Sequence, residues 1–257
     1  MSSSTQKTIG NNRPPFPTNT THAVRLCLFQ ATRRPIPKEE VIETPHGKIR
    51  IKGRLGQQHL DVFEAICYSR EKKREADGRI HILVDPWEVR KRSGQMAGAT
   101  LERIKDDLME ALIEIIEPNH LACTGHLIDH IDTATRITDD SPLTRQGRFG
   151  EREMWSVEIG KAFCKLLRSD VWVGYDPARI SRLDHGISQA VARHALSHKN
   201  EPSGGWKLDT LIGAVAGTVQ PALLRRYRAR INEEAYKLLK IGVIVENGRV
   251  RIEDSSQ

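Results

Sequence analysis

Aromatic residues make up only 5% of the chain, too few for a row of stacking platforms along a single nucleic-acid strand. No apolar run approaches the roughly 18 residues needed to cross a bilayer. The first residues are rich in Ser, Asn and Pro and lack the apolar segment of a secretory signal, so residues 1–21 read as a disordered leader. There are four cysteines, Cys27, Cys67, Cys123 and Cys164, far apart and in apolar surroundings. They read as reduced core residues of a cytoplasmic protein rather than as a disulfide framework. A G-x-x-x-x-G-K-[ST] phosphate loop is missing, which excludes a P-loop ATPase. The pairs His126/His130 and His194/His198 have Leu127 and Ala195 where a zinc protease has Glu, and further ligands are lacking. There is no H-x-H cluster of the kind a metal-dependent nicking enzyme needs. Tyr227 has the spacing of a core residue rather than of a nucleophile. The chain therefore reads as a non-enzyme without metal or cofactor.

What is present is positive charge. Lys and Arg exceed Asp and Glu by 40 to 33 in 257 residues, a net charge of +7, which favours a polyanionic partner. The length allows two small domains, and an α+β fold of two tandem winged-helix domains is expected, at 22–140 and 150–253. In the first, residues 24–30 read as a strand and 41–44 and 48–52 as a hairpin around Pro45-His46-Gly47. A helix is expected over 56–70 and a strand over 80–84. Asp85-Pro86 has N-cap and first-turn chemistry for a short helix over 86–92. After a turn at 93–98, Leu101, Ile104, Leu108, Leu112 and Ile115 give one helical stripe over 99–117, ended by Pro118. Residues 120–137 would supply strands, and the polar stretch 139–150 is the expected junction. The second domain opens with a strand at 154–158 and a helix at 160–167. A strand at 171–175 and a helix over 178–198 follow.

The most informative stretch begins at Trp206. A short helix over 207–215, a turn at Ala216-Gly217-Thr218 and a long helix over 220–240 lead to a hairpin around Asn247-Gly248, the dipeptide best suited to a two-residue turn. In such a unit the second helix enters the major groove and the hairpin touches backbone or minor groove. Arg225, Arg226, Arg228 and Arg230 fan across one side of that helix. Arginine reads guanine edges and clamps phosphates. Lys207 and Arg249 are candidate backbone contacts. Thr218 and Gln220 sit at the helix start, where amides favour phosphate. The first domain offers Arg90, Lys91, Arg92 and Arg103 as weaker candidates, with dimerisation as an alternative role for that region. The cluster Arg33, Arg34, Lys48, Arg50, Lys52 and Arg54 is interleaved with glutamates and reads as solvated surface.

Residues 22–253 resemble plasmid replication initiators built from two winged helices, the RepC proteins of broad-host-range IncQ-type plasmids and, more distantly, TrfA-like initiators. The resemblance is carried by His22-Ala23-Val24, Leu28-Phe29-Gln30-Ala31, Arg179-Ile180-Ser181 with Leu183, and Leu208-Asp209-Thr210-Leu211-Ile212-Gly213. The run Arg225 to Ile231, followed by residues 238–242, completes it. It implies binding of double-stranded DNA at tandem origin repeats (iterons) as a monomer, help in opening the origin, and recruitment of a replicative helicase. It also implies a homodimer that does not initiate. The competing reading is a winged-helix repressor or other regulator using the same DNA contacts. A protein-binding module fits the arginine-dense helix less well.

Overall fold

The computed structural model describes residues 7–8, 19–20, 28–44, 47–69, 73–76, 79–95, 97–116, 122–136, 138–148, 150–169, 172–198 and 200–253. Most of the expected leader, residues 24–27 of the first expected strand, Cys27, and Pro45-His46 of the first turn lie outside them. Within the leader stretch, β1 (Lys7–Thr8) and β2 (Asn19–Thr20) are strands, both paired with residues 172–174.

In chain order, β3 (Lys38–Thr44) and β4 (Gly47–Gly53) form a hairpin. Helix α1 (Gln57–Cys67) leads to β5 (Lys73–Ala76) and β6 (Arg79–Val84). Asp85 caps α2 (Pro86–Ser93), accepting a bond from the Trp87 amide at 2.9 Å, and Gly94, with φ +70°, ends it. Next comes α3 (Gly98–Glu110), which buries Leu101, Ile104 and Leu108. The chain then turns extended at Ala111 and continues as β7 (Leu112–Ile116), which pairs with β4. The expected helix over 99–117 is therefore a helix and a strand. Leu112 and Ile115 keep helical spacing with the stripe before them. The β-branched Ile113, Ile115 and Ile116 nevertheless favour the pleated surface, where Ile113 and Ile115 point inward.

Strands β8 (Ala122–His126) and β9 (Ile128–Thr133) follow. The expected junction at 139–150 holds instead one arm of a hairpin, β10 (Thr144–Gly147) with β11 (Gly150–Glu153). Strand β12 (Trp155–Ile159) lies between β6 and β9, giving the order β5-β6-β12-β9. Helix α4 (Lys161–Ser169) sets Phe163 edge-on against Phe63 of α1, with ring centres 4.9 Å apart. Residues 155–164, expected to open the second unit, thus complete the first core. Their Val157, Ile159, Ala162 and Phe163 are buried with Phe63, Ile82, Leu101 and Ile113.

After β13 (Trp172–Gly174) the chain builds a second cluster, to which Ala31 also belongs. Asp176 caps α5 (Pro177–Ile180), and α6 (Gly186–Leu196) is buried along its whole length. The expected helix over 178–198 is thus interrupted at 181–185. Strand β14 (Trp206–Lys207), α7 (Leu208–Ala216), α8 (Pro221–Glu233), α9 (Ala235–Leu239), β15 (Val243–Glu246) and β16 (Arg249–Ile252) complete the chain. Leu211, Ile212, Val215, Ile231, Leu238, Val243 and Val250 pack with Ile187 and Val191 of α6. Asn247 and Gly248 have φ +50° and +70°, the left-handed pair a tight hairpin requires.

The expected 220–240 helix breaks at Glu234, whose φ of −97° and ψ of 8° leave helical geometry. The cause is tertiary. Glu234 is buried, and its carboxylate accepts bonds from the Asp184 and His185 amides at 2.5 and 3.2 Å, just before α6 begins. It satisfies donors that the start of α6 cannot. Glu234→Ala would leave those amides without this acceptor. A loss of roughly 1–3 kcal/mol is expected in urea unfolding, and a change below the experimental error would contradict the capping role.

Candidate nucleic-acid interface

Helices α7 and α8 meet across Gly217, whose φ of +68° lets the chain turn sharply after α7. Pro221 starts α8 with its φ already helical, and Leu224, Tyr227 and Ile231 turn inward. This orientation leaves Arg225 and Arg226 exposed and Arg230 half-buried. Among the described residues, no carboxylate stands within ion-pair distance of these three. Arg228 differs: its guanidinium engages both carboxylate oxygens of Asp209 on α7. The pairing lowers the Asp209 pKa and raises that of Arg228. Arg228 therefore ties α7 to α8, while Arg225 and Arg226 keep free guanidiniums.

The other residues expected here divide in the same way. Lys207, Thr218 and Gln220 are exposed, and Gln220 is the N-cap of α8 without a side-chain capping bond. Arg249, near the hairpin tip, donates to the Gly204 and Gly205 carbonyls at 2.9 and 3.2 Å and so holds the preceding loop. In the first half, Arg92 pairs with Glu88 and Asp176 at 3.5 and 3.3 Å and stacks on Tyr68, and Arg103 pairs with Asp107 at 3.4 Å. Both arginines are thus engaged within the protein. Arg90 is half-buried, with its Nε lacking a partner among the described residues. Lys91 is exposed and lies over the Trp87 ring, 4.8 Å from its centre.

The sequence reading missed two groups. The first is at the β10–β11 hairpin, where Arg152 and Arg145 reach Asp85 at 2.8 and 3.7 Å and Arg152 also faces Trp87. Burial alone would raise the Asp85 pKa, but the Arg152 and Trp87 hydrogen bonds outweigh it and hold the carboxyl below its ordinary value. The hairpin is thereby fixed beside the start of α2 and contributes basic residues to that face. The second group is a cleft between the two halves, where Arg33 and Arg34 come to stand with Arg226 and Arg230. A basic cluster interleaved with Glu39, Glu40 and Glu43 gave no sign that its first two members separate from the rest. Lys48 and Arg50 do pair with neighbouring glutamates.

The two halves are joined by a buried polar network. Arg193 of α6 donates to Glu64 at 2.9 and 3.0 Å, to Asp61 at 2.7 Å and to Gln57 at 2.7 Å, all on α1. Tyr175 donates its hydroxyl to Glu64, and Gln189 donates to Asp61 at 3.1 Å. The Arg193, Asp61 and Glu64 side chains are at most 1% exposed. The network ties α6 of the second cluster to α1 of the first.

No helix among the described residues is long and apolar enough to cross a membrane. No protein-family model matches the sequence, and no curated protein matches it. Solved structures do. The crystal structure of a selenomethionine derivative of domains 2 and 3 of RctB superposes with a TM-score of 0.53 at 12% identity, covering 90% of this chain and 94% of that one. A second RctB structure, of the 155–483 segment holding domains 2–3, gives 0.52 at 14% identity over 89% and 93%. The chain shares the fold of RctB domains 2 and 3 over nearly the full length of both.

Proposed function

We propose that the chain is a replication initiator of the plasmid type. It would bind tandem repeats in duplex origin DNA through two winged helices, help to open the origin and recruit a replicative helicase. The second winged helix comprises β14, α7, α8, α9 and the β15–β16 wing, with α8 in the major groove. The first comprises α1, β6, α2, α3, β9 and β12, with the β10–β11 hairpin extending the wing between the last two. The observation that carries the reading is the pair of exposed, unpaired arginines on the second helix of the C-terminal helix-turn-helix. The order of elements and the fold shared with domains 2–3 of RctB, a replication initiator, support it.

Anisotropy titration against duplexes from the repeat region of the chain's own replicon, with random duplex as reference, tests the reading. Repeat DNA is expected to bind at least ~10³-fold tighter than random duplex at physiological salt, saturating at one protein per repeat. Saturation at two per repeat would assign binding to a homodimer. Equal, steeply salt-dependent affinities for both duplexes would overturn sequence-specific initiation.

A further inference from the structure

Arg33 and Arg34 sit on a loop that is held rather than merely exposed. The Thr32 carbonyl accepts from the Gln57 amide at 2.9 Å, the Gln30 amide donates to the Leu55 carbonyl at 3.0 Å, and the Gln57 side chain reaches the Phe29 and Gln30 carbonyls. Arg33 itself donates to the Leu183 carbonyl at 3.0 Å. Two glycines let the loop come this close. A Cβ on Gly56 would stand 2.6 Å from the Thr32 carbonyl oxygen, and one on Gly186 would stand 2.6 and 2.7 Å from the Thr32 carbon and Arg33 nitrogen. These are backbone atoms that cannot swing aside. The loop is clamped between the first turn of α1 and the first turn of α6, one from each half.

Its arginines face those of α8 across an open cleft. Arg226 and Arg230, one helical turn apart, form the opposite wall. Asp184 is the one carboxylate lining this cleft, and it is engaged by Lys237 on α9. The four guanidiniums thus share one concavity with a single described carboxylate, Asp184, which Lys237 engages and Arg33 also faces. Convergent like charges raise the energy of the empty site, and a cleft lined by one sign of charge concentrates an anionic partner. The planar fork of arginine suits phosphate in particular.

We propose that this cleft grips the sugar–phosphate backbone of duplex DNA beside the groove that α8 enters, so that the N-terminal loop and the C-terminal recognition helix share one stretch of DNA. The proposal rests on the duplex-binding reading above. It makes Arg34 a phosphate contact although it lies nearly two hundred residues before the recognition helix. It also explains why the two halves are locked together by buried charge, since a cleft built from both keeps its shape only if they do not move apart.

Arg34 is the residue to change. It is exposed, and among the described residues no hydrogen bond or ion pair depends on its side chain. The slope of log affinity against log salt would be measured for full-length Arg34→Ala on random-sequence and repeat duplexes. A slope smaller by about one on both is expected, as for loss of one phosphate contact, with Arg34→Lys restoring it. Arg230→Ala, on the α8 side of the cleft, should give a comparable decrease. Lys48→Ala, on the β3–β4 hairpin, should leave the slope at the wild-type value. A wild-type slope for Arg34→Ala, or an equal decrease for Lys48→Ala, would overturn the cleft assignment while leaving the initiator reading intact. Failure of the wild-type protein to prefer repeats would instead overturn the initiator reading, and the slopes on random duplex would still decide the cleft. If the wild-type protein binds neither duplex, both are overturned.

Discussion

Arg193→Met is expected to destabilise the folded chain by about 3–5 kcal/mol, the largest stability effect of any single substitution considered. The change removes the one cation from a site that holds the Glu64 and Asp61 carboxylates and admits no water-accessible surface. Burial disfavours the charged Arg193, but the fields of Glu64 and Asp61 outweigh it and hold the guanidinium more firmly protonated than usual. Without it, two buried carboxylates would face each other unpaired. The test is urea unfolding of wild type and variant under one set of conditions. A loss below about 1 kcal/mol would show that the network contributes little, and the rigid relation between the halves would then need another source.

Asp61→Asn provides the contrast. Burial, offset only partly by Arg193, pushes the Asp61 carboxyl above its ordinary value. Stability contributed in this way is present at low pH and is lost as pH rises from the ordinary carboxylate range through the raised value. Asparagine is neutral at every pH and retains an oxygen for the Arg193 bond at 2.7 Å. Gln189 now donates its Nε2 to Asp61 at 3.1 Å, so its amide must reverse to offer the new asparagine amide its Oε1, which has no partner among the described residues. Asp61→Asn is therefore expected to stay close to wild type at neutral pH, well separated from Arg193→Met.

The C-terminal unit was legible because each of its signals is local. Gly217 needs a positive φ, Pro221 suits the first position of a helix, and Asn247-Gly248 suits a two-residue turn, whatever surrounds them. The errors fall where a distant partner decides. Nothing near Glu234 in sequence says that its carboxylate will cap amides fifty residues away. Gln57, Asp61 and Glu64 lie on one polar helical stripe; only Arg193, more than a hundred residues later, turns that stripe into an interior. Arg33 and Arg34 were read with their charged neighbours for the same reason, since the two glycine contacts that seat their loop are long-range. The assignment of residues 155–164 failed differently. A polar, arginine-containing stretch is a reasonable linker until the strand after it is seen to complete the sheet before it.

For the interface, the largest effect is expected from Arg225→Ala combined with Arg226→Ala. Each guanidinium is free of carboxylates and stands on the exposed side of α8, so each is available for a bidentate contact worth about 1–3 kcal/mol. Loss of both should weaken repeat binding by roughly 2–6 kcal/mol if the contacts are independent, and random-duplex binding by much less. Arg228→Ala serves as the internal comparison. Its guanidinium is occupied by Asp209, so the variant should loosen the α7–α8 contact yet keep its preference for repeats over random duplex. Competition anisotropy with labelled repeat DNA separates the cases, with circular dichroism confirming that each variant is folded. If the Arg225/Arg226 double variant keeps wild-type selectivity while Arg228→Ala loses it, α8 reads DNA through the arginine tied to Asp209, and the free pair serves only the backbone. If neither variant alters selectivity, α8 is not the reader, and the basic face around α2, Lys91 and the β10–β11 hairpin becomes the element to test.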